Sequence, residues 1–295
     1  MKQLVVLSGK GGTGKTSVTA CIAGLASKEM TLVLADADVD AANLELLLNP
    51  RRRDTYQFTG GFKASIDREA CISCGRCMEV CRFGAVVHPD GDPDAYSVDP
   101  VSCEGCKSCY YQCPVNAISA ERTVAGTWYL SDSHCGPLFH AEMFAGEENS
   151  GKLVSELKKA AAGLCGSHDC GLVLVDGPPG IGCPVIAACA GADLALIVTE
   201  PGVSAIHDLH RILQTLVHFG IQSSVCINRS DINVSRTEEI EESCRNEGIP
   251  VLGRIPYDDR VTMAMCRGKT VLEYDPASPA SMAVLGIWKK LREFL

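Results

Sequence analysis

The chain has 295 residues, 46% apolar and 21% charged, with a net charge of −9 at pH 7; this is enough for one large core or two moderate ones, and too acidic for a broad nucleic-acid footprint. No apolar run reaches the length of a membrane span, and the opening MKQLVVLSGKGG is interrupted too soon for a signal peptide, so a cytoplasmic protein is expected and a membrane role is not. In that compartment the 17 cysteines are expected to serve metal rather than structural disulfides.

In chain order, residues 3–7 (QLVVL) read as an apolar strand, 15–28 as a helix and 31–36 (TLVLAD) as a second buried strand. From about Tyr56 to Thr123 the texture changes to glycine, short strands and dense cysteine. The α/β rhythm then resumes. Strands are expected at 171–176, 194–200, 223–228 and 249–256, and helices at 151–163, 203–219, 235–247 and 277–294. Ser235 and Glu238 have the spacing of a capping box at the start of one of these helices. Apolar strands alternating with helices predict a doubly wound, mainly parallel α/β sheet. The expected division is residues 1–58 and 124–295 for this sheet domain, with residues 59–123 forming an inserted domain.

GKGGTGKTS (9–17) follows the first strand and opens a helix, the context that a phosphate-binding loop requires. Backbone N–H groups of Gly11, Gly12, Thr13 and Gly14 would close around phosphate oxygens at a helix N-terminus. Lys15 would reach the β- and γ-phosphates of ATP or ADP, and the Thr16 hydroxyl would ligate Mg2+, with Ser17 beside it.

CISCGRCMEVC (71–81) and CEGCKSCYYQCP (103–114) both read C-x2-C-x2-C-x3-C, the spacing of a bacterial two-cluster ferredoxin. In that arrangement the fourth cysteine of each run serves the other cluster. One 4Fe-4S cluster would take Cys71, Cys74, Cys77 and Cys113; the other would take Cys103, Cys106, Cys109 and Cys81. Pro114 follows the second run as expected, while Arg82 stands where the first run would have proline. Zinc is the competing reading, although structural zinc favours paired knuckles. Cys165 and Cys170, in CGSHDC with His168, are candidates for a further metal or for spare thiols in a surface loop.

Lys10, DADVDAAN (36–43) and DGPPGIGCPV (176–185) complete a resemblance to the deviant Walker A ATPases, which include MinD, ParA, Mrp and the nitrogenase iron protein. With the cysteine runs, nearly the whole chain resembles MinD-superfamily P-loop ATPases that carry an inserted small α+β, bacterial-ferredoxin-like domain. The resemblance implies that Lys10 crosses to the nucleotide of a second subunit. It also implies that Asp38 positions the attacking water, with Asp40 a rival, and that Asp36 and Asn43 lie near magnesium and the interface. Asp176 would order magnesium, Gly180 would sense the γ-phosphate, Asn228 would read adenine, and Pro256 and Tyr257 would flank the base. In the nitrogenase iron protein a cysteine at a similar offset from the Walker B aspartate ligates a shared cluster, so Cys183 is a candidate metal ligand; as a small hydrophobe at a helix start it would merely pack.

The implied function is a dimeric ATPase, with itself or with a related chain, that couples hydrolysis to electron transfer from two 4Fe-4S clusters to a redox or metallocluster client. Two alternatives stand beside it. One is a carrier or scaffold for metal clusters. The other is a MinD-like positioning ATPase, whose support is an apolar stripe of Val284, Trp288, Leu291 and Leu295 that a core-packing helix also explains.

Overall fold

The computed structural model describes every residue except 90, 91, 146, 148, 168 and 169. The chain runs β1 (Lys2–Ser8), α1 (Lys15–Ala26), β2 (Leu32–Asp36), α2 (Leu44–Leu48), β3 (Arg51–Ile66), α3 (Arg76–Val80), β4 (Val86–Val87), β5 (Ser97–Val98), α4 (Ser108–Gln112), β6 (Ile118–Ser133) and β7 (Gly136–Met143). There follow α5 (Ser150–Ser167), β8 (Leu172–Pro179), α6 (Cys183–Cys189), β9 (Leu194–Thr199), α7 (Ala205–His218), β10 (Gln222–Asn228), α8 (Val234–Asn246), β11 (Val251–Ile255), α9 (Asp259–Met265), α10 (Val271–Tyr274) and α11 (Pro279–Leu291). The chain divides into two compact units. The first comprises Met1–Tyr56, Trp128–Glu142 and Ser150–Leu295; the second comprises Gln57–Thr127 and Met143–Asn149.

The large sheet has the order β11-β10-β9-β1-β8-β2-β7-β6-β3, and the pairs from β11 through to β7 are parallel. β1, β2, β8 and β9 carry near-continuous aliphatic runs because helices cover both their faces. The register sets Asp176 of β8 opposite Val6 of β1 and Asp36 of β2. Two carboxylates therefore stand side by side at the carboxyl ends of the central strands, where open α/β sheets bind ligands. Leu4, Ile22, Leu34, Leu138, Leu174, Leu196 and Trp288 lie in one core cluster of the first unit. α11 buries Val284, Ile287, Trp288 and Leu291 in that core, so its apolar stripe is a packing face. Among the described residues no helix is long and apolar enough to cross a membrane.

The second unit has a much smaller core, in which Cys77, Val86 and Ile118 are the buried members and Ile66, Met78, Tyr96, Val98, Cys81, Cys109 and Cys113 pack against them.

Three expectations are corrected here. α8 is capped by Asn233, whose side chain accepts from Arg236 N–H, and not by a Ser235–Glu238 box; a capping box is formed by Thr270 and Glu273, at α10. The region after Tyr56 opens with a 16-residue strand, β3, rather than short strands. Cys165 and Cys170 are joined as a disulfide rather than being spare surface thiols, with their Cα atoms 4.9 Å apart, within disulfide range. Both are buried, and His168 lies outside the described residues.

Candidate functional site

Between β1 and α1 the chain makes a tight loop in which Gly12 and Gly14 take φ values of 80° and 89°, a region that side chains rarely enter. At Gly14 a Cβ would stand 2.3 Å from Asn228 Nδ2. That amide donates to Thr13 O at 2.8 Å, and Arg229 Nη1 donates to Gly12 O at 3.1 Å, so the end of β10 holds the loop from outside. Thr13 Oγ1 is buried and has no hydrogen-bond partner among the described residues, which suits a loop that takes oxygen ligands.

Asp176 is the hub of the charged centre. Its Oδ2 accepts from Thr16 Oγ1 at 2.7 Å and lies 3.0 Å from Lys15 Nζ, and its Oδ1 accepts from Thr19 Oγ1 at 2.7 Å. Lys15 Nζ also lies 3.7 Å from Asp38 Oδ2. Thr19 carries no motif signal of its own; it falls one helical turn beyond Thr16, on the same face of α1. Burial raises the Asp38 carboxyl, an effect that Lys15 opposes. Asp40, by contrast, is exposed.

Asp36 stands beside Asp176, off the cleft lining. It is fully buried and accepts from the backbone N–H groups of Asp38 and Leu44, tying the turn that carries Asp38. Burial, with Asp176 beside it, pushes its carboxyl up to about 8. It braces the site from behind.

Gly11, Gly12, Gly14, Lys15, Thr16, Ser17, Asp38, Asp40, Asn43, Asn228, Pro256 and Tyr257 line one broad cleft, which Val261 and Met265 extend on its apolar side. Lys10, Thr13, Asp36, Asp176 and Gly180 are not on its lining. Gly180, at φ 86°, donates its N–H to Ser8 O at 2.9 Å. Lys10 Nζ lies 2.9 Å from Glu200 Oε1, and Arg229 Nη1 lies 2.8 Å from Glu200 Oε2. Glu200 thus gathers two cations beside the loop. No sequence motif pointed to this, because the contact joins residues far apart in sequence. Cys183 opens α6 and is exposed, so it is not spent on packing. The far end of the same helix is capped by Lys158, whose buried Nζ donates to Ala188 O at 2.5 Å and Ala190 O at 2.6 Å; burial lowers this ammonium to about 8.

In the second unit the cysteines gather into two sets. One recess is lined by Cys71, Cys74, Cys77 and Cys113, with Tyr96 and Arg76. Another is lined by Cys81, Cys103, Cys106 and Cys109, with Lys107 and Ser108. Each set takes three thiols from one run and one from the other. Ala117 N–H donates to Cys113 Sγ at 3.2 Å, and Ala85 N–H to Cys81 Sγ at 3.3 Å. Gly105 makes the second turn possible: at φ 65°, a Cβ there would stand 2.1 Å from Phe62 O. Among the described residues no group of three or more His, Cys, Asp or Glu is arranged to hold a single metal ion.

The sequence pattern of the CobQ/CobB/MinD/ParA nucleotide binding domain matches residues 4–271. An uncharacterized protein of Methanocaldococcus jannaschii is 31% identical over 294 residues, spanning 99% of this chain and 97% of that protein. A second uncharacterized protein of that organism is 29% identical over 284 residues, spanning 93% of each. Among solved structures, the septum site-determining protein MinD complexed with Mg-ADP from Pyrococcus horikoshii has a similar fold. The TM-score is 0.59 at 17% identity, over 98% of this chain and 95% of that one.

Proposed function

The chain belongs to the CobQ/CobB/MinD/ParA nucleotide-binding family and is a P-loop ATPase, and from that premise we propose that it works as a dimer coupling ATP hydrolysis to electrons carried by two 4Fe-4S clusters. The observation that carries the second half is the sorting of eight cysteines into two crossed sets of four, each around a recess of its own. Tetrahedral zinc would draw its four thiolates to about 3.8 Å from one another; thiols spread around a recess suit a cluster better than one ion. Cys71, Cys74, Cys77 and Cys113 would hold one cluster, and Cys103, Cys106, Cys109 and Cys81 the other. When bound, these clusters supply one-electron chemistry at low potential.

The catalytic parts act by position and charge. Lys15, now between Asp176 and Asp38, would turn its ammonium to the β- and γ-phosphates. Thr16 and Asp176 would hold Mg2+, and Asp38 would orient the attacking water. Lys10 would leave Glu200 for the nucleotide of the partner, either a second copy or a related chain. Asn228, with Pro256 and Tyr257, would border the base. The proposed division assigns residues 1–58 and 124–295 to ATP and residues 59–123 to the clusters.

Likeness to MinD proteins favours a second reading, a positioning ATPase in which the cysteine unit serves partner binding. The two separate by experiment. The chain is loaded with iron and sulfide, reduced with dithionite and mixed with an oxidised viologen dye, and reoxidation is followed with ATP, ADP or no nucleotide. The proposal expects faster reoxidation with ATP. Equal rates in all three, together with flotation of the ATP-bound chain on liposomes, would favour the positioning reading.

A further inference from the structure

The two cysteine recesses are nearly symmetric, and their differences are few enough to name. In each set one thiol accepts from the amide four residues on, Cys113 from Ala117 and Cys81 from Ala85, at 3.2 and 3.3 Å, and another from the amide that follows it, Cys77 from Met78 and Cys109 from Tyr110. Each has one exposed thiol, Cys74 and Cys106. Each has one basic residue on its lining, Arg76 and Lys107. Arg76 is exposed, and Lys107 turns its Nζ onto the Phe62 ring, 3.1 Å from the centroid. The second recess also carries Glu104, which is exposed and therefore screened by water.

The remaining asymmetries all lie at the second recess: Lys63 Nζ donates to Cys103 O at 3.0 Å, and Ser108 meets Cys106 through its backbone N–H as well as its side chain. The runs align so that Ser108 in CKSC corresponds to Arg76 in CGRC. Ser108 Oγ lies 3.4 Å from Cys106 Sγ, and the protonated thiol donates to it. A ligating thiolate has no proton, so the hydroxyl is then the only donor in the pair and the bond reverses. Among the described residues no side-chain donor reaches the sulfur of Cys71, Cys74, Cys77 or Cys113. A hydrogen bond to a ligating sulfur stabilises the extra negative charge of the reduced state and so raises the reduction potential.

We propose that Ser108 makes the two cluster sites unequal, raising the potential at the site of Cys81, Cys103, Cys106 and Cys109 above that of the other. One electron from a low-potential one-electron donor then comes to rest in the second recess, and the donor is oxidised by that electron. Ser108 is a tuning residue, and its role rests on the two-cluster reading above.

The test is an anaerobic redox titration of the iron-loaded chain, poised with dithionite and followed by electron paramagnetic resonance. It compares the natural chain with Ser108→Ala and Ser108→Thr, with iron and sulfide counted in each. Two separate midpoints are expected in the natural chain. Ser108→Ala should lower the higher midpoint and leave the lower one in place, and Ser108→Thr, which keeps a hydroxyl, should restore the separation. Midpoints unchanged by Ser108→Ala in a fully loaded chain, or both falling together, overturn the role of Ser108 and leave the two-cluster reading standing. A natural chain that takes up no more than one cluster overturns both.

Discussion

Lys15 and Lys10 share a loop of six residues and answer to different carboxylates. Lys15 is almost buried between Asp176 and Asp38, while Lys10 is far more exposed and leans on Glu200. Their loss should therefore differ in kind. Lys15→Ala removes the cation that meets developing charge on the phosphates, and kcat for phosphate release should fall roughly 100-fold or more. Lys10→Ala should leave nucleotide affinity nearly intact and abolish ATP-dependent dimerisation, read by elution volume on a sizing column. A Lys10→Ala chain that still shifts to the dimer position with ATP would refute the cross-subunit role. These lysines were legible because GKGGTGKTS is contiguous, and so was the candidate role of Asp38, from its motif. Their partners were not. Thr19, Glu200 and Arg229 meet the loop through strand register and helix phase, which short-range spacing does not encode, and the same holds for the bonds by which Asp36 braces the backbone.

At the scale of elements, the buried parallel strands were readable because both faces are aliphatic. β3 was not: RRRDTYQFTGGFKASI is largely polar, with Phe58 its one buried residue, and it pairs at the edge of the sheet, where apolar periodicity fades. The N-terminus of α8 was misread for a related reason: three candidate caps, Asn233, Ser235 and Thr237, lie within five residues, and only backbone geometry chooses among them. Asn233→Ala should accordingly lower stability by about 1 kcal/mol, and Ser235→Ala by much less, in denaturant titrations. β7 and α2 also meet at a buried histidine. His140 is 1% exposed, and its Nε2 bonds Ser131 Oγ at 2.9 Å. Glu45 of α2 approaches Nδ1 to 3.0 Å without hydrogen-bond geometry, with Arg52, Tyr129 and Glu142 around it. Burial, aided by Arg52, lowers this imidazole to about 4. The unfolded chain binds the proton from about pH 6.5 downward, whereas the folded chain resists until about pH 4. Stability present above pH 6.5 is thus lost as the pH falls through that window, by at most about 3 kcal/mol. His140→Gln should flatten that part of a plot of Tm against pH; an unaltered slope would mean that other groups carry it.

At the scale of the whole molecule, the two units are stabilised by different means. The first has an aliphatic core that repays its own chain entropy, whereas the second has a core in which cysteines replace much of the aliphatic packing. Anaerobic reconstitution should therefore give about eight irons and eight sulfides per chain, with magnetic coupling between two reduced clusters. Chelation should melt the second unit while nucleotide binding by the first survives. Four irons, or stoichiometric zinc, would refute the assignment. Cysteine density marks a change of texture in the sequence, whereas the membership of Met143–Asn149 in the second unit carries no such mark, since nothing in that segment resembles the cysteine runs. Cys183 belongs to this scale because its role depends on a second subunit. It directly follows the DGPPGIG turn, stands exposed at the start of α6, and is backed by Gly151 of α5, where a Cβ would lie 3.4 Å from its own Cβ. Lys158 of α5 fixes the other end of α6 by holding its last carbonyls, so a movement of the turn should carry Cys183 on a helix whose far end stays anchored. If hydrolysis is linked to that turn, as the Asp176 hub implies, two copies of Cys183 should face each other across an ATP-bound dimer. With the ferredoxin-type thiols ligated, a short bismaleimide should join two chains in the presence of ATP and not of ADP. The cross-link should vanish in Cys183→Ser and persist when the other exposed thiol, Cys266, is replaced by Ser. A dimer that forms with ATP yet never cross-links would put Cys183 away from the axis and end its candidacy as a shared ligand.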